Sequence, residues 1–183
     1  MTVRKLLLPL LCAALLLTGC GTKPEERIIA WRDSLNGNSF RFEADVTALE
    51  EERTWRFSAD VESRGGETAL RITEPEEIAG ITLRSGERDT LEYDGAVLVL
   101  PDVTGDGVTP AAALPLLCTA LRSGRLLRCA DTREGGMTAE LREDESKTWV
   151  VKWDGNMTPL SAELTENGRT ILYCNIRAFS PEG

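Results

Sequence analysis

Phe40, Phe42, Ala44, Val46 and Ala48 alternate with Arg41, Glu43, Asp45 and Thr47, a period of two held over nine residues. Only a β-strand puts successive side chains on opposite faces, so this stretch predicts a strand with one apolar and one charged side. Glu50-Glu51-Glu52 breaks the pattern as a turn. Trp55, Phe57, Ala59 and Val61 then repeat it against Arg56, Ser58 and Asp60. Leu70 and Ile72 carry it past Gly65-Gly66. Short strands are predicted over residues 81–84, 90–93 and 96–100, punctuated by Ser85-Gly86 and Asp94-Gly95. A second series is predicted over residues 126–130, 137–141, 148–153, 160–164 and 170–177. Its turns fall at Gly135-Gly136, Asp154-Gly155 and Asn167-Gly168.

Two segments read differently. Ile28, Trp31 and Leu35 recur at i, i+3 and i+7, the spacing of one helical stripe. Thr22 is placed to cap that helix, with Pro24 in its first turn and Glu25 three residues after the cap. Asn36-Gly37-Asn38 ends it. Residues 111–123 form a second predicted helix, apolar nearly all round, with Gly124 as its stop. Pro115 lies within four residues of its start and can reset the true beginning. Strands with one charged side belong to a sheet solvated on that side. A β-sandwich would satisfy the strands alone. The two helices favour an α+β fold, a long curved antiparallel sheet with the N-terminal and the mid-chain helix across its apolar, concave face.

The N-terminus carries a separate message. Arg4 and Lys5 precede an apolar run of 12 residues from Leu6 to Leu17, and Leu17-Thr18-Gly19-Cys20 closes it. That is a signal-peptide layout, too short to cross roughly 30 Å of hydrocarbon as a permanent helix. The closing tetrad resembles the bacterial lipobox. The resemblance implies that the Cys20 thiol receives a diacylglyceryl group and becomes the first residue of the mature chain. The expected organisation is a signal peptide over 1–19, the lipidated Cys20 and a short tether over 20–23, and one domain over 24–183. Only Gly21, Thr22 and Lys23 separate Cys20 from Pro24. Three extended residues reach about 10 Å, so the domain is expected against the outer face of the cytoplasmic membrane.

Loss of residues 1–19 removes Arg4 and Lys5 but no acidic residue, leaving 164 residues and taking the formal charge from −9 to −11. Such a surface argues against nucleic acid and against charge-driven adhesion to anionic headgroups. The chain has no histidine. Ser-His-Asp and Cys-His catalysis, His-ligated zinc and imidazole acid-base chemistry near neutral pH are therefore excluded. No catalytic, cofactor or metal residues are expected. Beyond Cys12 and Cys20, the cysteines are Cys118, Cys129 and Cys174, which permit three alternative single disulfides, each leaving one thiol free.

The order of elements resembles the LolA/LolB-like lipoprotein carrier superfamily, including its Gram-positive members of the germination-lipoprotein kind. Three stretches carry the likeness. Leu70-Arg71-Ile72-Thr73-Glu74-Pro75 runs into Gly80-Ile81-Thr82-Leu83. Leu91-Glu92-Tyr93-Asp94-Gly95 supplies the next hairpin. Trp153-Asp154-Gly155-Asn156-Met157-Thr158-Pro159-Leu160 and Glu166-Asn167-Gly168-Arg169 look like the terminal hairpins. The resemblance implies a half-open barrel plugged by helices, with either an apolar cavity for a lipidic ligand or a surface for an envelope partner such as a cell-wall hydrolase. The expected function is non-enzymatic binding of a lipidic or other apolar ligand. Docking of such a partner protein is the alternative.

Trp55, Trp149 and Trp153 are the leading candidates for lining that cavity, with Phe57 and Leu83 on the same strands or faces. Other motifs carry less. Asp102, Thr104 and Asp106 with Gly107 place oxygen ligands at calcium-loop positions 1, 3 and 5 and a glycine at 6. Position 12 is Ala113, where a bidentate Glu is needed. Glu50-Glu51-Glu52 and Glu143-Asp144-Glu145 are expected to be solvated, unshifted charges at hairpin tips. Asn156-Met157-Thr158 has the glycosylation pattern, discounted by the bacterial lipobox.

Overall fold

The computed structural model describes residues 22–50, 53–100, 109–110 and 112–182. Cys20 and the signal segment, Glu51, Glu52 and the calcium-like loop at 102–107 lie outside the described residues.

Helix α1 (Pro24–Leu35) is the first element among the described residues. Then come β1 (Ser39–Glu50), β2 (Arg53–Arg64), β3 (Glu67–Glu74), a 3-10 turn (Glu76–Ile78), β4 (Thr82–Ser85), β5 (Thr90–Tyr93) and β6 (Ala96–Val99). Helix α2 (Ala113–Ser123) follows. The chain then continues as β7 (Arg125–Asp131), β8 (Met137–Arg142), β9 (Lys147–Trp153), β10 (Pro159–Glu166) and β11 (Arg169–Glu182). Every strand predicted from the period of two is present.

All eleven strands of the described residues join one antiparallel sheet in the order β6-β5-β4-β3-β2-β1-β11-β10-β9-β8-β7. The chain walks from the centre at β1 to one edge at β6. It passes through α2 to the opposite edge at β7, then returns to the centre, where β11 pairs with β1. The sheet is curved and unclosed, a half-open barrel with an α+β composition.

Burial follows the alternation. Along β1, Phe40, Phe42, Ala44, Val46 and Ala48 are buried while Arg41 and Glu43 are exposed. The buried side chains form one hydrophobic cluster with Leu114, Leu117 and Leu121 of α2 and with Ile28 and Leu35 of α1. Short side chains at Ala44, Ala59, Ala139 and Ala162 leave room for the longer helix residues on this face. A bulge in β11 then changes the parity. Leu172, Cys174 and Ile176 face inward, but Ala178 adopts φ +49°. The pairing shifts between Arg41 and Glu43, and Phe179 joins the inner face, stacked 5.4 Å from Phe40.

Local chemistry corrects three expectations. Lys23, not Thr22, is the cap residue of α1, and no side chain caps it. The second helix begins at Ala113 rather than 111; Pro115 sits in its first turn, and the Thr109 hydroxyl accepts a bond from Ala112 N–H at 3.2 Å. Gly124 stops α2, but in an ordinary conformation of φ −54°. Glycine is required there because a Cβ would meet the Ala120 carbonyl oxygen at 2.8 Å.

Candidate functional site

The inner face is not evenly covered. One cross-strand row runs Phe42, Val61, Leu70, Leu83, Leu91, Leu98 from β1 to the β6 edge. Phe42, Val61, Leu70 and Leu83 are buried, Leu91 is half-buried, and Leu98 is 60% exposed. α2 packs against β3 and β8, and burial falls away along the row from Leu83 on β4 to Leu98 on β6. Trp55, near the tip of the β1–β2 hairpin, is 48% exposed on the same face. The apolar face thus emerges from the core on the β2–β6 side as a continuous strip.

The predicted cavity residues fall into two environments. Trp55, Ala48, Leu172, Leu164, Trp149 and Leu141 lie in one row across the sheet, and Trp153 is on the same face. Trp149, Trp153, Phe57 and Leu83 are all buried within the central cluster. Trp153 meets Trp31 of α1 edge-on at 5.5 Å. Among the described residues, the indole N–H of Trp149 and of Trp153 has no acceptor. Trp55 instead donates its indole N–H to the Glu50 carboxylate at 3.1 Å. The structure therefore places these aromatics on one face but brings only four of the five residues together in the core, with Trp55 at the rim.

The opposite face carries a polar groove that the sequence reading missed. It has a volume of about 820 Å³ and lies between the outer faces of β1–β5 and the Asp94-Gly95 turn. Asp60 stands across from Arg71 and Thr82 from Glu92 on its floor. Arg71 and Arg84 line it without an ion pair among the described residues. The alternation did show that these charges share a face; it did not show that the face is hollowed.

The Glu143-Asp144-Glu145 reading needs correction. Glu143 is half-buried, and burial, reinforced by Asp144, raises its carboxyl pKa. Asp144 is lowered: burial opposes the charge, but N–H and O–H donors from Ser146 and Lys147 N–H outweigh it. Neither is the free, solvated charge expected of a hairpin tip.

Cys118, Cys129 and Cys174 are free thiols. Burial pushes Cys118 up to about 12, against lowering by hydrogen bonds from Thr68 and Ser63 and the charge of Arg122. Burial also pushes Cys174 up to about 12, with Cys118 and Asp45 adding to it. Cys129 is only part-buried, raised by burial and then by Glu25. At pH 8, a thiol of pKa about 12 is ionised about once in ten thousand molecules. We predict that Ellman's reagent modifies Cys129 first in folded protein beginning at Gly21, while Cys118 and Cys174 react only on unfolding. Rapid labelling of Cys118 in the native state would contradict the burial described above.

No known protein family matches the chain in sequence, and no curated protein does. Among solved structures it is similar to a conserved protein from Thermus thermophilus, at 12% identity over 86% of this chain and 87% of that one, TM-score 0.48. It is also similar to a LolA superfamily protein from Nitrosomonas europaea, at 13% identity over 87% of this chain and 94% of that one, TM-score 0.45. A DUF1329 family protein from Desulfovibrio piger is similar at 8% identity over 86% and 93%, TM-score 0.44. Among the described residues no helix is long and apolar enough to cross a membrane.

Proposed function

We propose that this chain is a non-enzymatic, lipid-anchored protein of the outer face of the cytoplasmic membrane that holds an acyl chain or comparable apolar ligand. The observation that carries the reading is the apolar row from Phe42 to Leu98, which runs from the buried core out to a 60% exposed side chain. Such a strip favours an apolar ligand because each methylene taken from water contributes about 0.8 kcal/mol. The resemblance read from the sequence supports the same ligand class.

Two measurements test it. Native mass spectrometry of the protein with a C16 fatty acid or phosphatidylglycerol is expected to show one ligand bound per chain. Replacing Leu98 by Glu is expected to weaken uptake more than about tenfold, since burying a carboxylate beside an alkyl chain is costly. Failure of any acyl ligand to bind would end this reading.

The anchor is tested separately. Cys20→Ala is expected to abolish membrane attachment while leaving the domain folded, because residue 20 precedes α1. The product should fractionate as soluble protein or persist as an uncleaved precursor. A processed form of this variant held firmly in the membrane fraction would show that the lipobox had been misread.

A further inference from the structure

We infer that the domain stands on its host bilayer by one end of the sheet, the end that holds the first turn of α1 and the turns at 132–136 and 154–158. The opposite rim, with Trp55 and the turn at 143–146, faces away from the membrane. This inference rests on the lipid anchor at Cys20 proposed above, and not on the acyl-chain reading.

The place of attachment is defined because α1 is built into the fold. Ile28 and Leu35 are buried in the core. Arg32 donates to carbonyls of α2, and Arg122 of α2 donates to the Leu35 carbonyl. The helix also begins at the ends of strands. Arg27 pairs at 2.7 Å with Asp131, the last residue of β7, and its guanidinium donates to Met157 Sδ at 3.6 Å. Trp31 meets Trp153, the last residue of β9, edge-on. Asp131 is opposite Met137 and Trp153 is opposite Pro159, so the turns at 132–136 and 154–158 close the same end of the sheet. The chain therefore enters the domain beside these two turns. β8 leads from there to the turn at 143–146, and its six residues span about 20 Å. Trp55 lies in the cross-strand row of Leu141, at that far end of β8.

Two forces then set the orientation. Cys20 and Pro24 are four residues apart, which is at most about 14 Å of extended chain. An anchored Cys20 keeps the first turn of α1 at the headgroup layer. The rest of the domain has no such hold. Without residues 1–19 the chain carries a formal charge of −11, and an anionic leaflet repels it over about 8 Å at physiological salt. A domain lying flat would bring Glu143, Asp144 and Glu145 down onto the same surface. The tether draws one end in while repulsion lifts the other.

Energy transfer to the membrane surface tests the inference. Mature, lipidated protein with Cys129→Ser receives one new thiol, by Glu134→Cys or Glu145→Cys, in the turns at the two ends of β8. Both glutamates are exposed. Each variant is coupled to a maleimide fluorophore and reconstituted in vesicles of phosphatidylcholine and phosphatidylglycerol with rhodamine-labelled phosphatidylethanolamine as acceptor. The distance of closest approach is expected to be shorter by more than about 10 Å at residue 134 than at residue 145. Asn156→Cys and Arg169→Cys repeat the comparison across β10 and carry the test if the first pair does not fold. Inserting twenty Gly and Ser residues between Lys23 and Pro24 gives a reach of about 25 Å and should at least halve the difference. Equal distances for the two ends, or a nearer far end, would overturn the inference. So would a difference that the long linker leaves intact, since an adhesive face would then be holding the domain. Failure of the protein to float with the vesicles would overturn the lipobox reading itself, and the orientation with it.

Discussion

Arg122→Ala is expected to lower the unfolding free energy by about 3 kcal/mol, a fall of roughly 10 °C in Tm for a domain of this size. Arg122 sits in the last turn of α2, and its guanidinium has no carboxylate partner among the described residues. Instead it donates to the Leu35 carbonyl at 2.7 Å, the Asn38 and Ser63 carbonyls at 3.0 Å, and the Ser63 hydroxyl at 3.2 Å. It also lies 4.6 Å from the centre of the Phe40 ring. Leu35 is the last residue of α1, so Arg122 caps the C-terminus of the other helix. Arg32 of α1 returns the arrangement by donating to the Ala120 and Leu121 carbonyls of α2 at 3.0 and 3.2 Å. Each arginine thus closes the end of its neighbour. Truncating Arg122 removes a donor from three carbonyls in a half-buried place; the Leu35 carbonyl keeps the Asn38 N–H at 3.2 Å, and solvent entering the gap recovers part of the rest. Arg122→Lys should rescue little, since a point ammonium cannot serve the same fan of acceptors. Arg32→Ala, which loses two bonds, should cost about half as much. Urea unfolding followed by circular dichroism checks the series; a loss under about 1 kcal/mol for Arg122→Ala would mean the clamp is already wet.

Trp149→Ala is expected to cost about 4 kcal/mol. Trp149 is fully buried between Leu141 and Leu164, which are also at 0% exposure. The deleted indole leaves a void that rigid strands on both sides cannot close. Trp149→Phe separates two contributions. It loses some buried area but also removes an indole N–H that has no acceptor among the described residues, so its cost should stay below about 1.5 kcal/mol. Trp55→Ala lies in the same cross-strand row and should change stability by less than about 0.5 kcal/mol, because Trp55 is half in solvent. Equal costs at Trp149 and Trp55 in the same unfolding assay would overturn the distinction between core and rim.

That distinction marks the boundary of what the chain discloses by itself. Alternation along 40–48 and 55–61 determined the strands, their faces and the side on which the helices must lie. The reason is local: a strand with one wet side has to alternate. Asp94-Gly95 and Asn167-Gly168 likewise announced their turns. Identical alternation could not say that Trp149 is sealed and Trp55 open, because periodicity reports which face a residue takes, not how deep it lies. Depth was decided by where α2 falls across the sheet, a contact between residues far apart in sequence. The same holds for the jump from β6 to the opposite edge at β7, which left Val97, Leu98 and Val99 exposed and put α1 against β7. The bulge at Ala178 reversed parity and sent Phe179 inward, against the pattern of the preceding residues. Arg122 read as the polar end of an apolar helix; its acceptors at Leu35, Asn38 and Ser63 exist only once two helices and β2 meet. Face and turn are properties of neighbouring residues, while depth, edge and clamp are set by which distant surfaces come to cover them.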